Sequence, residues 1–134
     1  MNVLVDTSVW SLALRRRGQS PPPPLVELLA GLIRDGRAVL MGSVRQELLS
    51  GVRTEEQFRR LRNHLRSFPD LPLDSEDYES AASYSNRCRA GGVQGSGVDF
   101  LICAVAVRRE IAVLTTDKDF DQFARFIPVK LLRS

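Results

Sequence analysis

Apolar residues in this chain gather in short unbroken runs, and stretches of helical period lie between them. Val3-Leu4-Val5, residues 38–41 and residues 111–114 read as brief strands lacking in-out alternation, the pattern of parallel strands covered on both faces. A short extended piece is expected at Leu71-Pro72-Leu73 and a last strand at residues 128–132. A first helix opens where Thr7 or Ser8 can cap it, carries Val9, Trp10, Leu12, Ala13 and Leu14, and ends at Arg15-Arg16-Arg17-Gly18. Residues 19–24 form a stiff proline loop that enters a second helix, which stops at Gly36. Ser43 and Gln46 form a capping box for a third helix closing at Gly51. Further helices are expected over residues 54–67, 75–90, 98–109 and 117–126. Strands that alternate with helices predict an α/β class with a central, mostly parallel sheet of about four to five strands flanked by helices.

Composition narrows the reading. At 134 residues, 43% hydrophobic and 26% charged, the chain suits one globular domain spanning residues 1–134. No apolar run approaches the roughly 20 residues of a membrane span, and the N-terminus reads as a strand, so a cytoplasmic protein is expected. Cys88 and Cys103 lack CxxC pairing and are expected to be reduced. The net charge is only +3, yet of the 19 cationic residues only Lys118 and Lys130 are lysine. Arginine grips phosphate bidentately and stacks on bases, which suits a nucleic-acid partner, although base composition of the coding sequence fits as well.

The chemistry concentrates in four acids: Asp6, Glu47, Asp99 and Asp117. Asp6 closes the first apolar run, Asp117 follows residues 111–114, and Glu47 and Asp99 lie early in helices. In an open α/β sheet ligands bind beyond the carboxyl ends of the strands, and all four fall at that edge. Burying unpaired carboxylates is costly, and a divalent cation held by hard oxygen ligands would relieve it. Taken singly, Asp99 can be a helix-dipole residue and Asp117 an N-cap. Asp119 competes with Asp117 for the fourth position, or orients it.

These stretches resemble the PIN domain, and specifically the VapC toxins of type II toxin–antitoxin systems. The matching segments are Val5-Asp6-Thr7-Ser8-Val9-Trp10, Glu47-Leu48-Leu49-Ser50-Gly51, Val98-Asp99-Phe100-Leu101-Ile102-Cys103-Ala104 and Thr116-Asp117-Lys118-Asp119-Phe120. They occur in the family's order over nearly the whole chain. The resemblance implies a PIN-like fold and a Mg²⁺- or Mn²⁺-dependent endoribonuclease that cuts RNA, halts translation and is neutralised by a cognate VapB-type antitoxin. It also implies a homodimer. Asp6, Glu47, Asp99 and Asp117 match the family's metal-site acids, and Thr7, Ser8 and Thr116 match nearby hydroxyl positions. One departure is the glycine-rich run Gly91-Gly92-Val93-Gln94-Gly95-Ser96-Gly97 at the lip of the site.

Other classes fit less well. The only histidine, His64, excludes a histidine-pair ribonuclease. The glycine run lacks the following Gly-Lys-Ser/Thr of a nucleotide-binding loop. Asp6-Thr7-Ser8 is not the DxDxT of aspartyl-phosphate hydrolases. Trp10 reads equally as core or as partner-facing. Arg15 to Arg17 and Arg59, Arg60, Arg62 and Arg66 form a solvated face or an RNA track. A non-catalytic module of the same fold that binds metal and RNA, or serves as an interaction partner, is the alternative left open.

Overall fold

Three consecutive apolar residues, Val3, Leu4 and Val5, are all sealed from solvent and form the central strand β1 (Val3–Val5). The structure, a computed structural model, describes residues 1–16, 18 and 20–132, so the expectations placed on Arg17 and Gln19 lie outside the described residues. Strand β1 is flanked by β2 (Ala38–Val39) and β3 (Ala112–Leu114), both parallel to it, in the order β2-β1-β3. Val3 pairs with Ala38 and Ala112, and Val5 with Leu114. Parallel neighbours need crossovers, and helices supply them. These are α1 (Thr7–Arg15) and α2 (Pro24–Arg34) before β2, and α3 (Gly42–Ser50), α4 (Glu55–Leu65), α5 (Ser75–Ala90) and α6 (Gly97–Arg108) between β2 and β3. The short α7 (Asp119–Phe123) follows β3.

The α/β class expected from the sequence is the one observed, with a narrower sheet. Among the described residues, 71–73 and 128–132 form no strand. Pro72 removes a backbone donor from the first segment, and its carbonyl accepts from Arg109 Nη2 at 2.7 Å. In the second, Pro128 delays pairing, leaving an isolated bridge between Val113 and Leu131. Two caps also differ. Met41, not Ser43, is the N-cap of α3, and the Ser43 hydroxyl is buried without a partner. Asp6, not Thr7 or Ser8, is the N-cap of α1, and it makes no side-chain cap there; its Oδ2 accepts from the Ser8 hydroxyl, and the Thr7 hydroxyl donates to Glu47.

Helix α6 is apolar all round, with Phe100, Ile102, Cys103, Ala104, Val105 and Ala106 buried, as befits a helix through the middle of a core. Trp10 is core: only 5% exposed, it donates from Nε1 to the Val5 carbonyl at 3.2 Å and meets Phe68 edge-on, centroids 5.1 Å apart. Where α5 begins and α6 ends, Asp77 is fully buried and held by Arg109 Nη1 at 2.9 Å and Arg108 Nη1 at 3.2 Å. This ion cluster pins one end of the α5–α6 pair. The connection at the other end, residues 91–96, delivers the start of α6 to the carboxyl edge of the sheet.

Candidate functional site

Pairing register builds the site. The match of Val5 with Leu114 puts Thr115 beside Asp6, and the Asp6 amide donates to the Leu114 carbonyl at 2.9 Å. Thr115 Oγ1 donates to Asp6 Oδ2 at 2.7 Å, and Ser8 Oγ donates to the same oxygen at 2.9 Å. One oxygen of Asp6 is thus clamped by two hydroxyls, and Asp6 itself is only 6% exposed. Thr115 Oγ1 also accepts from the Asp117 amide at 3.0 Å, and Asp117 Oδ1 accepts from the Asp119 amide at 2.9 Å. Asp119 therefore orients Asp117 through its backbone, with its own side chain exposed.

Asp99 comes from the opposite wall. It sits in the first turn of α6, where Ser96 and Asp99 form a reciprocal capping box. Ser96 Oγ accepts from the Asp99 amide at 3.1 Å, and Asp99 Oδ2 accepts from the Ser96 amide at 3.2 Å. Burial pushes the Asp99 carboxyl above its ordinary range; the bonds from Ser96 oppose that, and the charges of Asp6 and Asp117 add to it. That mutual repulsion means Asp6, Asp99 and Asp117 share one region. Glu47 stands further out: it is exposed on α3 and accepts from Thr7 Oγ1 at 2.6 Å. Thr116 contributes its amide, which donates to Ser8 Oγ at 3.1 Å.

Thr115 and Ser96 were not singled out from the sequence. Ser96 had a readable signal, since Ser-x-x-Asp before an apolar run is a capping box. Thr115 had none, because which of two adjacent threonines reaches Asp6 depends on the register with β1.

Among the described residues, no Arg or Lys is ion-paired with any of the four acids. Nor do any three His, Cys, Asp or Glu side chains close into a ready-made metal cage. Oxygen-only donors suit a hard cation, and an unclosed carboxylate set suits one that keeps waters and takes substrate phosphate oxygens as ligands, as Mg²⁺ does. The residues present fit such an ion. Beside Glu47 a groove of about 700 Å³ opens between α1, α3 and α4, with Leu14, Val52 and Leu61 on its walls and Arg15, Arg53 and Arg60 among its lining residues.

A parallel sheet with acids near its carboxyl edge places the chain among the α/β domains whose ligands bind beyond the carboxyl ends of their strands. Within that class, this chain belongs to the PIN domain family, whose model matches residues 3–126. It is 30% identical over 125 residues, 92% of each chain, to the VapC ribonuclease Mb1587 of Mycobacterium bovis and to Ribonuclease VapC11 of Mycobacterium tuberculosis. Among solved structures it resembles VapBC2 from Rickettsia felis bound to a DNA fragment from their promoter, with TM-score 0.78, 17% identity and 98% of each chain covered. It also resembles FitAcB from Neisseria gonorrhoeae, with TM-score 0.75, 23% identity, and 98% of this chain and 96% of that one covered. At such identities these structures speak to the fold. Among the described residues no helix is long and apolar enough to cross a membrane.

Proposed function

We propose that this protein is a Mg²⁺- or Mn²⁺-dependent endoribonuclease, the cytoplasmic toxin of a VapBC-type pair, which cuts RNA to stop translation and is neutralised by a VapB-type antitoxin. The observation that carries the reading is the gathering of Asp6, Asp99 and Asp117 at the sheet's carboxyl edge, with no Arg or Lys ion-paired to them among the described residues. The names and architecture of its relatives support the toxin role and the partner. Homodimerisation belongs to the same reading.

Asp6 and Asp99 would be the principal ligands of the ion. Asp117 would act from a second or water-mediated position, and Glu47 as a further ligand or as the base. A divalent ion bound there lowers the pKa of water and neutralises charge on phosphate oxygens. The chain's own residues prepare that chemistry. Ser8 and Thr115 hold Oδ2 of Asp6, so that Oδ1 would be the oxygen offered to an ion. Thr7 fixes Oε1 of Glu47, so that the other carboxylate oxygen can take the proton of the attacking water. As that water adds to phosphorus, the bond to the leaving ribose oxygen breaks and that oxygen leaves with a proton from solvent. Arg15, Arg53 and Arg60 beside Glu47 suit the flanking phosphates.

The rival reading is a module of the same fold that binds RNA and metal without cutting, since a set of ligand acids gives competence to bind metal rather than turnover. Incubating the purified protein with total RNA in Mg²⁺, in Mn²⁺ and in EDTA separates the two. Defined fragments that vanish with EDTA support the nuclease. Metal binding and RNA binding without fragments support the rival.

A further inference from the structure

The run of residues 91–97 carries four glycines; two of them, Gly91 against Phe126 and Gly95 against Phe123, have no room for a side chain, and at Gly95 the reason reaches the site. A Cβ built on Gly95 would lie 2.5 Å from Phe123 Cζ, 2.9 Å from Phe123 Cε1 and 3.1 Å from Phe100 Cε2. A real Cβ does not approach so closely. The Phe123 ring cannot step aside: it is fully buried, with the Phe100 centroid at 4.8 Å and the Phe120 centroid at 5.2 Å. Close-packed interiors leave no gap for such a ring to move into.

Two carboxylates hang from the two sides of this contact. Ser96, the residue after Gly95, exchanges both capping hydrogen bonds with Asp99. Phe123 belongs to α7, whose first residue, Asp119, donates its amide to Asp117 Oδ1. The Gly95 backbone on the Phe123 ring is therefore where the wall carrying Asp99 meets the element backing Asp117.

We propose that Gly95 and Phe123 are positioning residues of the site: the backbone of the glycine loop seats on the buried ring, and that contact sets where Asp99 stands relative to Asp117. The proposal rests on the cation-site reading above. It assigns the loop a positioning task at the site and explains why glycine is needed at residue 95. Gly97, two residues nearer Asp99, has open space around its Cβ position and no such constraint.

The test is Mn²⁺ titration by calorimetry on the full chain, with RNA cleavage and thermal unfolding in parallel, for wild type, Gly95→Ala, Gly97→Ala, Phe123→Leu and the double variant Gly95→Ala/Phe123→Leu. Gly95→Ala should bind Mn²⁺ at least about tenfold more weakly, the usual scale for disturbed support of a metal ligand, and lose kcat with the KM for RNA little changed. Phe123→Leu, which removes the stop, should also weaken Mn²⁺ binding. The double variant, in which the added methyl meets a smaller side chain, should regain most of the loss. Gly97→Ala should stay within about twofold of wild type. Wild-type affinity in folded Gly95→Ala, or equal losses in Gly95→Ala and Gly97→Ala, would overturn the proposal. Should Gly95→Ala fail to fold, the Phe123→Leu variant decides: undiminished Mn²⁺ affinity there refutes the seat. The same pattern of Mn²⁺ affinities without RNA cleavage would leave the positioning role standing and remove the nuclease. No Mn²⁺ binding by wild type would remove both.

Discussion

Asp77 offers a quantitative check on how the α5–α6 pair is held. Its carboxylate is fully buried and bonded to Arg109 Nη1 at 2.9 Å and Nη2 at 3.3 Å, to Arg108 Nη1 at 3.2 Å and to the Asp74 amide at 3.0 Å. The Arg109 guanidinium holds its carboxyl well below the ordinary 3.8, at about 2, against the opposing effect of burial. At about 1.4 kcal/mol per pH unit, that difference corresponds to roughly 2 kcal/mol of stability. Because the folded-state value is depressed, this stability is present above pH 4 and is lost as pH falls towards 2. Asp77→Asn keeps an acceptor for the Asp74 amide and removes the charge. Both arginines are about a third exposed and have other acceptors, so the loss should stay near 2 kcal/mol, below the 3–5 kcal/mol of a sealed pair. Urea melts of the two proteins at pH 7 should differ by about that amount, and the gap should shrink to under about 1 kcal/mol near pH 2.5. A gap that is small at pH 7, or one that does not shrink on acidification, would refute the reasoning.

Other outcomes follow from the same packing. Thr115→Val removes one of the two hydroxyls on Asp6 and the acceptor of the Asp117 amide; it should lower RNA cleavage about ten- to a hundredfold while reducing stability by only about 1 kcal/mol, read by cleavage rates and urea melts. Arg45 ties α3 to the Leu65 and Phe68 carbonyls and to Asp70, so Arg45→Ala should cost about 2 kcal/mol. Because Phe68 packs on Trp10, the single tryptophan, that variant should also shift its emission to the red in the folded state. Cys88 and Cys103 are fully buried, and burial pushes both thiols above their ordinary range. Neither should react with a thiol reagent at pH 8 until denaturant is added.

The parts of the fold readable from the sequence were those with strictly local causes. Apolar runs ending in acids marked the strands and the carboxyl edge. The first-turn placement of Asp99 followed from the apolar helix behind it. The last strand expected at residues 128–132 is reduced to an isolated bridge because a short apolar run does not say whether its amides find partners, and Pro128 has no amide to offer. Ser43 mimics a cap in sequence, yet α3 starts one residue before it, at Gly42. Within the site, Asp6, Asp99 and Asp117 were legible as candidates, and they lie near enough for the charges of Asp6 and Asp117 to act on Asp99. The Thr115 clamp and the Gly95–Phe123 seat were not, since each joins segments that only tertiary packing brings together. Glu47 was expected beside the others and stands at the rim, on the side where the groove opens.

The central claim is tested most directly by RNA cleavage with Mg²⁺, comparing wild type with Asp6→Asn after both are shown to unfold at similar temperatures. The account predicts defined fragments from wild type, none with EDTA, and a near-complete loss in the folded variant. Full cleavage by Asp6→Asn, or cleavage by wild type undiminished in EDTA, would contradict it.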